Sequence, residues 1–428
     1  MGKGTWLAVA AVLSMATPSM AQTFDKAVFA AAKKVQPKVV EWRRDIHEHP
    51  ELGNSEVRTA KVVADHLRKL GFEVRTGVAK TGVVAVLKGG KPGGVVALRA
   101  DMDALPVTEQ TGLPFASKAT GTYNGQTVPA AHACGHDAHV AILMGAAEVL
   151  AAMKDRIPGT IVFLFQPAEE GPPAGEEGGA ALMIKDGALA NPSPSAVFGL
   201  HVSPGEPGSL GWRSGPTMAA VDFYDIKLKG RQTHGGLPWT GIDIISMQAE
   251  IVLAFNQIAA RQVNVTRNPT ILTVATVHGG IRYNIIPDDL SLSGTLRTYD
   301  PDLRKDVIAR VEKTVQSIAS RYGGSGEISW GLAYPVTSND PALTARMKPT
   351  LSRAANGKVN DNINYITAGE DFSRYHEKIP GVFYQLGIGF PKGGNHSPMF
   401  NVEDEGAMEV GVRAQVLTAL DYLASHKK

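Results

Sequence analysis

The chain has one cysteine, Cys134, so it cannot form an internal disulfide. It also lacks an excess of either charge, because 43 lysines and arginines stand against 41 aspartates and glutamates, giving a formal net charge of +2. That balance offers no electrostatic basis for nucleic acid or a membrane surface as partner, since both call for a basic patch. Beyond its first stretch the sequence has no apolar run of transmembrane length, no internal repeat and no low-complexity tract. What is left is a chain of 428 residues, long enough for a substantial core and more than one domain, with small or neutral ligands open to it.

The first residues have a definite order: Lys3, an apolar run from Trp6 to Leu13, then Ser19-Met20-Ala21 before Gln22. A cation, an apolar segment too short to span a bilayer and small residues make a secretory signal peptide over residues 1–21, cleaved after Ala21. Pro18 and the small residues, at signal-peptidase distance, set it apart from an ordinary buried helix. The mature protein is then expected to be soluble and exported, to the periplasm or outside the cell. In an oxidising compartment a lone thiol asks for an explanation. Its neighbours supply one, described below.

Amphipathic spacing predicts helices at Val39–His49 and Val57–Leu70, the second stopped by Gly71. Short β-rich runs follow at Gly82–Leu87 and Gly94–Arg99, separated by the turn-forming residues Gly89 to Gly93, then a helix at Ala138–Met153 and strands at Thr160–Phe165 and Ala196–Leu200. The alternation points to an α/β domain with a mostly parallel sheet covered on both faces. From about Val221 the texture changes to strand Val221–Lys229, helix Ile242–Ala260, strands Ile271–His278 and Asp289–Thr298, helix Leu303–Tyr322 and strand Glu327–Trp330. That β-α-β-β-α-β order is the ferredoxin-like arrangement. The expected architecture is a domain of residues 22–218 and 334–428 interrupted by a smaller one at 219–333.

Metal-capable side chains gather where strands end. They are Asp101 and Asp103, Glu169 and Glu170, His201, and the loop His132-Ala133-Cys134-Gly135-His136-Asp137, with a further imidazole in Asn395-His396-Ser397-Pro398. In an open α/β sheet the ligand crevice lies at the strand ends, so these segments can converge. Each alone is weak, because a lone histidine is commonly structural and acidic pairs are commonly solvated. Together, thiol, imidazoles and carboxylates suit zinc, cobalt or manganese better than calcium or magnesium. A coordinated Cys134 is also shielded from oxidation. Adjacent carboxylates in a loop can divide their work, one binding metal and the other accepting a proton from water.

Five segments carry a resemblance: Arg43-Arg44-Asp45-Ile46-His47-Glu48-His49-Pro50-Glu51-Leu52-Gly53, Ala100-Asp101-Met102-Asp103-Ala104-Leu105-Pro106, Cys134-Gly135-His136-Asp137, Glu169-Glu170-Gly171 and Gly199-Leu200-His201. From about residue 40 onward the sequence resembles peptidase family M20, most closely its branch of hippurate hydrolases, aminoacylases and indole-acetyl-amino-acid hydrolases. The resemblance implies a site for two divalent metal ions held by Cys134, His136, Glu170, His201 and His396. It implies Glu169 as general base and later proton donor, and Asp103 as the acid that orients a metal-site group. It implies further that the inserted domain is a lid and a homodimer surface. Within it Thr233-His234-Gly235-Gly236-Leu237-Pro238 carries the histidine, His234, that polarises the scissile carbonyl, often across the dimer. Asn284 and Arg297 match positions that reach the substrate, the arginine suiting a free carboxylate, with a surface strand residue as its equal alternative. Gly369-Glu370-Asp371-Phe372 matches another active-site segment. Trp239 departs from the pattern, standing where many relatives carry a polar residue, and points to a bulky or aromatic acyl group.

The expected activity is therefore hydrolysis of the amide bond of an N-acyl amino acid or related small amide. A dipeptidase or carboxypeptidase on the same metals is the first alternative, and a deacetylase for diamino acids or cell-wall fragments a weaker one. A non-catalytic periplasmic binding protein or metal store is the second alternative, ahead of the deacetylase, and the retained Glu169 argues against it.

Overall fold

The computed structural model describes residues 20–425 apart from 267 and 404. Residues 1–19, most of the expected leader, lie outside the described residues. The first helix runs Met20–Glu48, well upstream of the Val39 start expected from sequence, and it carries Pro37 in its interior. Its buried stripe explains the extension: Val28, Ala32, Val35, Val39 and Ile46 recur at helical spacing on both sides of the proline and join the main core. Tertiary burial here outweighs the lost backbone hydrogen bond.

An eight-stranded sheet runs in the order Glu73–Val78, Gly82–Lys88, Pro158–Gln166, Lys91–Asp101, Val197–Ser203, Gly381–Gly387, Leu210–Gly211, Val359–Asn360. Its centre is parallel, with Lys91–Asp101 between Pro158–Gln166 and Val197–Ser203, and Gly381–Gly387 beyond. Antiparallel pairs finish one edge. Central strands are buried on both faces, which is why their sequences read as nearly unbroken apolar runs. The helices His136–Ala152 and Met408–Ser425, buried along nearly their whole length, pack on the same face as the first helix.

Two boundaries differ from the sequence reading in ways that matter. The strand Lys91–Asp101 starts inside the expected turn, because Lys91 already pairs with Pro158. The strand Val197–Ser203 continues past Leu200, so His201 lies within it rather than after it, paired with Gln385. Because the four central strands point the same way, their carboxyl ends bring Asp101, Gln166, His201 and the segment after Gly387 to one side of the sheet.

A second, four-stranded antiparallel sheet has the order Ile271–Gly279, Asp289–Thr298, Ala220–Lys229, Ser325–Tyr334. The helices Ile244–Gln257 and Pro301–Arg321 cover one of its faces. Asp243 and Asp300 cap them, each side chain accepting from backbone N–H groups of the first turn. This is the β-α-β-β-α-β order expected from sequence, with its own core of Tyr224, Ile226, Leu228, Ile251, Phe255, Leu292, Leu296 and Val311. The first helix of this unit is shorter than expected, since Ile258–Gln262 forms a separate wider turn. Among the described residues no helix is long and apolar enough to cross a membrane.

Candidate active site

One glycine shapes the loop that holds the thiol. Gly135 sits at φ +95°, and a Cβ there would lie 2.2 Å from Cγ2 of Val202, so a side chain would both strain the backbone and strike the strand below. Gly135 caps the helix His136–Ala152, which puts His136 in its first turn and Cys134 just before it. Asp137 fastens this turn from behind. Its buried carboxylate accepts from Arg43 Nε at 2.7 Å and lies 2.9 Å from His47 Nδ1, while His47 Nε2 is 3.1 Å from Glu109.

Hydrogen-bond partners decide which histidines are free to bind a cation. His139 Nε2 accepts from the Val202 N–H at 2.8 Å, so its proton is on Nδ1, 2.5 Å from Asp101 Oδ1; both nitrogens are engaged and no lone pair remains. His136 is the opposite case. Its Nδ1 faces the Asp103 carbonyl oxygen at 2.9 Å and the Asp103 carboxylate at 3.2 Å, leaving a fully buried Nε2 with no hydrogen-bond partner. His201 likewise donates from Nδ1 to the Val202 carbonyl at 2.7 Å and turns Nε2 toward Cys134 Sγ, 3.5 Å away. His132, the loop's other imidazole, joins none of the donor groupings, and burial holds it neutral with its pKa pushed down to about 4.

Two of the donor groupings among the described residues share the thiol. Cys134, His136 and His201 form one; Cys134, Glu170 and His396 form the other, with all ligand atoms of each within 4.8 Å of one another. His396 Nε2 stands 3.0 Å from Glu170 Oε1. Such spacing accommodates bonds of about 2.0–2.3 Å to a shared ion, and the donor types are those of zinc or a similar divalent transition ion. The orphaned Nε2 of His136 is what a cation would satisfy. His396 takes a left-handed φ of +70°, a strained conformation for a non-glycine residue, fixed by its N–H donating to the Ala133 carbonyl. Asn395 Nδ2 donates to the Cys134 carbonyl at 3.0 Å, tying the two loops together.

Glu169 belongs to neither thiol-centred grouping, although it stands close to His136 and Glu170 on one side and to Glu370 and Asp371 on the other. It follows Ala168, itself at φ +50° and anchored by its N–H to Glu56, and its carboxylate accepts from the Asp371 N–H at 3.3 Å. Burial first, then the charges of Glu370, Glu170 and Asp371, push its carboxyl well above the usual range. Asp103 works on both sides of the site: one oxygen faces His136, and the other accepts the Glu170 N–H at 2.9 Å.

Sequence reasoning missed the counter-cation beneath. Arg99 is fully buried and binds Asp101 at 2.5 Å, Asp371 at 2.9 Å, Glu370 at 3.0 Å and Gln166 at 3.0 Å. An arginine inside a strand of otherwise buried apolar residues was the available signal, since such a charge needs several carboxylates around it. The segment Gly369–Phe372 thus serves chiefly to brace Arg99 and the Glu169 loop.

The cleft above the cluster has a volume of about 470 Å³. Cys134, Glu169, Glu170, His201 and His396 form its floor, and Phe223, Arg297 and Tyr334 of the antiparallel sheet form its wall. Arg297 is half-buried, with no carboxylate of the described residues in an ion pair with it. The structure does not bring His234 or Asn284 to this cleft. They lie on a short ribbon where Thr233–His234 pairs with Ile285–Ile286, and His234 is exposed.

The chain is matched by Peptidase family M20/M25/M40 over residues 97–421. It is 40% identical to thermostable carboxypeptidase 1 of Saccharolobus solfataricus over 91% of this chain and 96% of that relative. It is 36% identical to the N-acetylcysteine deacetylase of Bacillus subtilis over 88% of this chain and 94% of that one. Among solved structures, the Bacillus subtilis YXEP protein, a dinuclear metal binding peptidase from the M20 family, superposes with a TM-score of 0.78 at 34% identity, covering 92% of this chain and 99% of that one. The donor set, the paired groupings around one thiol and these similarities agree, and the protein belongs to peptidase family M20 as a metal-dependent hydrolase.

Proposed function

We propose that the protein hydrolyses the amide bond of N-acyl amino acids, with Glu169 as the proton-transferring group. One observation carries this reading: a buried carboxylate, Glu169, lies outside the two thiol-centred donor groupings formed by Cys134, His136, His201, Glu170 and His396, and borders the same cleft. A protein that merely stored metal would have no use for it. When bound there, a divalent pair supplies Lewis acidity, polarising the amide carbonyl and acidifying a water molecule. Glu169 takes a proton from the attacking water as its oxygen bonds to the carbonyl carbon, and returns it to the nitrogen as the C–N bond breaks. The products are the free acid and the amino acid. Arg297 receives the substrate's free carboxylate, and Asp103 keeps His136 and Glu170 in place.

His234 completes the site from the lid of residues 219–333, brought in by lid closure or from the second copy of a homodimer; its exposure on the lid ribbon supports this. Residues 22–218 and 334–428 form the catalytic domain. Export rests on the order of Lys3, the apolar run and Ala21. Trp239, 77% exposed beside the His234 loop, favours a bulky or aromatic acyl group. A carboxypeptidase reading is supported by the Saccharolobus relative and by Arg297, which suits the carboxylate of a peptide equally well.

The test is hydrolysis of hippurate, N-acetyl amino acids, an indole-acetyl conjugate and dipeptides by metal-stripped protein resupplied with zinc, cobalt or manganese. Metal-dependent release of an amino acid from the N-acyl class is the expected result. Turnover confined to dipeptides would move the assignment to a peptidase.

A further inference from the structure

Tyr334 is the last residue of the lid strand Ser325–Tyr334, where the chain leaves the antiparallel sheet for the metal-bearing domain. Its hydroxyl donates to the backbone carbonyl of Glu169 at 2.8 Å. This joins a lid element to a residue of the base loop 165 positions away in sequence. The same strand end is held a second time, since Arg374 Nη2 donates to the Ala333 carbonyl at 3.1 Å, and Arg374 lies three residues after Asp371, whose N–H binds the Glu169 carboxylate. The tyrosine ring lines the cleft on one side and a smaller cavity of about 320 Å³, also bordered by Glu169, on the other.

The base loop needs such an external hold. Ala168 is at φ +50°, which a residue with a side chain does not favour, and Gly171 takes φ +104° freely, so Glu169 and Glu170 sit between two left-handed residues of which the first is strained. Glu56 fixes the loop before Glu169, and Asp103 fixes it after, through the Glu170 N–H. The carbonyl of Glu169 itself has the Tyr334 hydroxyl as its fastening. We infer that Tyr334 is a positioning residue for Glu169, coupling the placement of the base to the seating of the lid strand. This rests on Glu169 being the base. The hydroxyl acts through the backbone and takes no proton in the reaction.

Tyr334→Phe removes the hydroxyl and keeps the ring. The expected result is a kcat lower by about tenfold to a hundredfold, the scale of an angstrom-sized misplacement, with KM and bound metal unchanged. In a Glu169→Asp background, where the carboxyl is already displaced, the same substitution should cost less than about twofold, because two changes acting through one group are not additive. Equal losses in both backgrounds, or a change confined to KM, would overturn the proposal, the latter by putting the hydroxyl on the substrate. Should Tyr334→Phe lose its metal through misfolding, Arg374→Met tests the neighbouring clamp, and an unchanged kcat there overturns it. Glu169→Gln separates the two ideas: full turnover in that variant removes the base assignment itself, whatever Tyr334 does.

Discussion

The donor cluster and the ribbon that carries His234 are built in opposite ways. Cys134, His136, Asp103 and Glu169 are buried, and their loops are fixed by Gly135, Asp137, Asn395 and the Arg99 network. His234 and Asn284 lie on a ribbon of two short strands, with Ile281 and Tyr283 more than 90% exposed nearby. One chain thus gathers a donor set and a buried carboxylate, yet leaves His234, the candidate for polarising the carbonyl, exposed. Groups that hold cations must be preorganised, whereas a group that meets only the substrate can arrive with it.

Substitutions on the two sides should separate this division. Glu169→Gln is expected to lower kcat by up to about 10⁴-fold while metal content, read by elemental analysis, stays at the wild-type value. Loss of metal in that variant would make Glu169 a ligand and blur the contrast. His234→Ala should lower kcat by about 10²–10³-fold, again with metal retained. Mixing it with Glu169→Gln protein should restore turnover if a second copy supplies His234, and leave the mixture inactive if the histidine acts within its own chain. Asp103→Ala is expected to weaken metal binding by about 10–100-fold in a competition with a chelator, because it frees the Glu170 loop and leaves His136 only the residue-103 carbonyl to orient it. The smallest effect should come from Trp239→Ala: stability within about 0.5 kcal/mol of wild type by denaturant titration, since the ring is exposed, with any change confined to acyl preference.

Much of the cluster is legible in the sequence because its candidate ligands sit in short motifs at strand ends. Cys134 and His136 are two residues apart, and Glu169 and Glu170 follow an apolar strand. The ferredoxin-like unit was legible for a related reason, as alternation in Ala220–Lys229 and Asp289–Thr298 reports a half-buried sheet directly. What escaped depends on distant partners. Arg99 meets Glu370 and Asp371 across more than 270 residues, and no local pattern encodes that. The first helix was foreshortened because Pro37 is a helix-breaking signal, and only burial of Val28 to Val35 against the core overrides it. That His201 lies within its strand depends on the pairing with Gln385, which no local pattern encodes.

The central claim is that Cys134 is shared by two cation sites that together support turnover. Its most direct test is a titration of metal-stripped protein with zinc, cobalt or manganese, following bound metal per chain and amide hydrolysis together. The account predicts two equivalents bound per chain, turnover appearing as they fill, and loss of both ions' tight binding in Cys134→Ala. Saturation at one equivalent with full activity, or two tight sites persisting in Cys134→Ala, would contradict it.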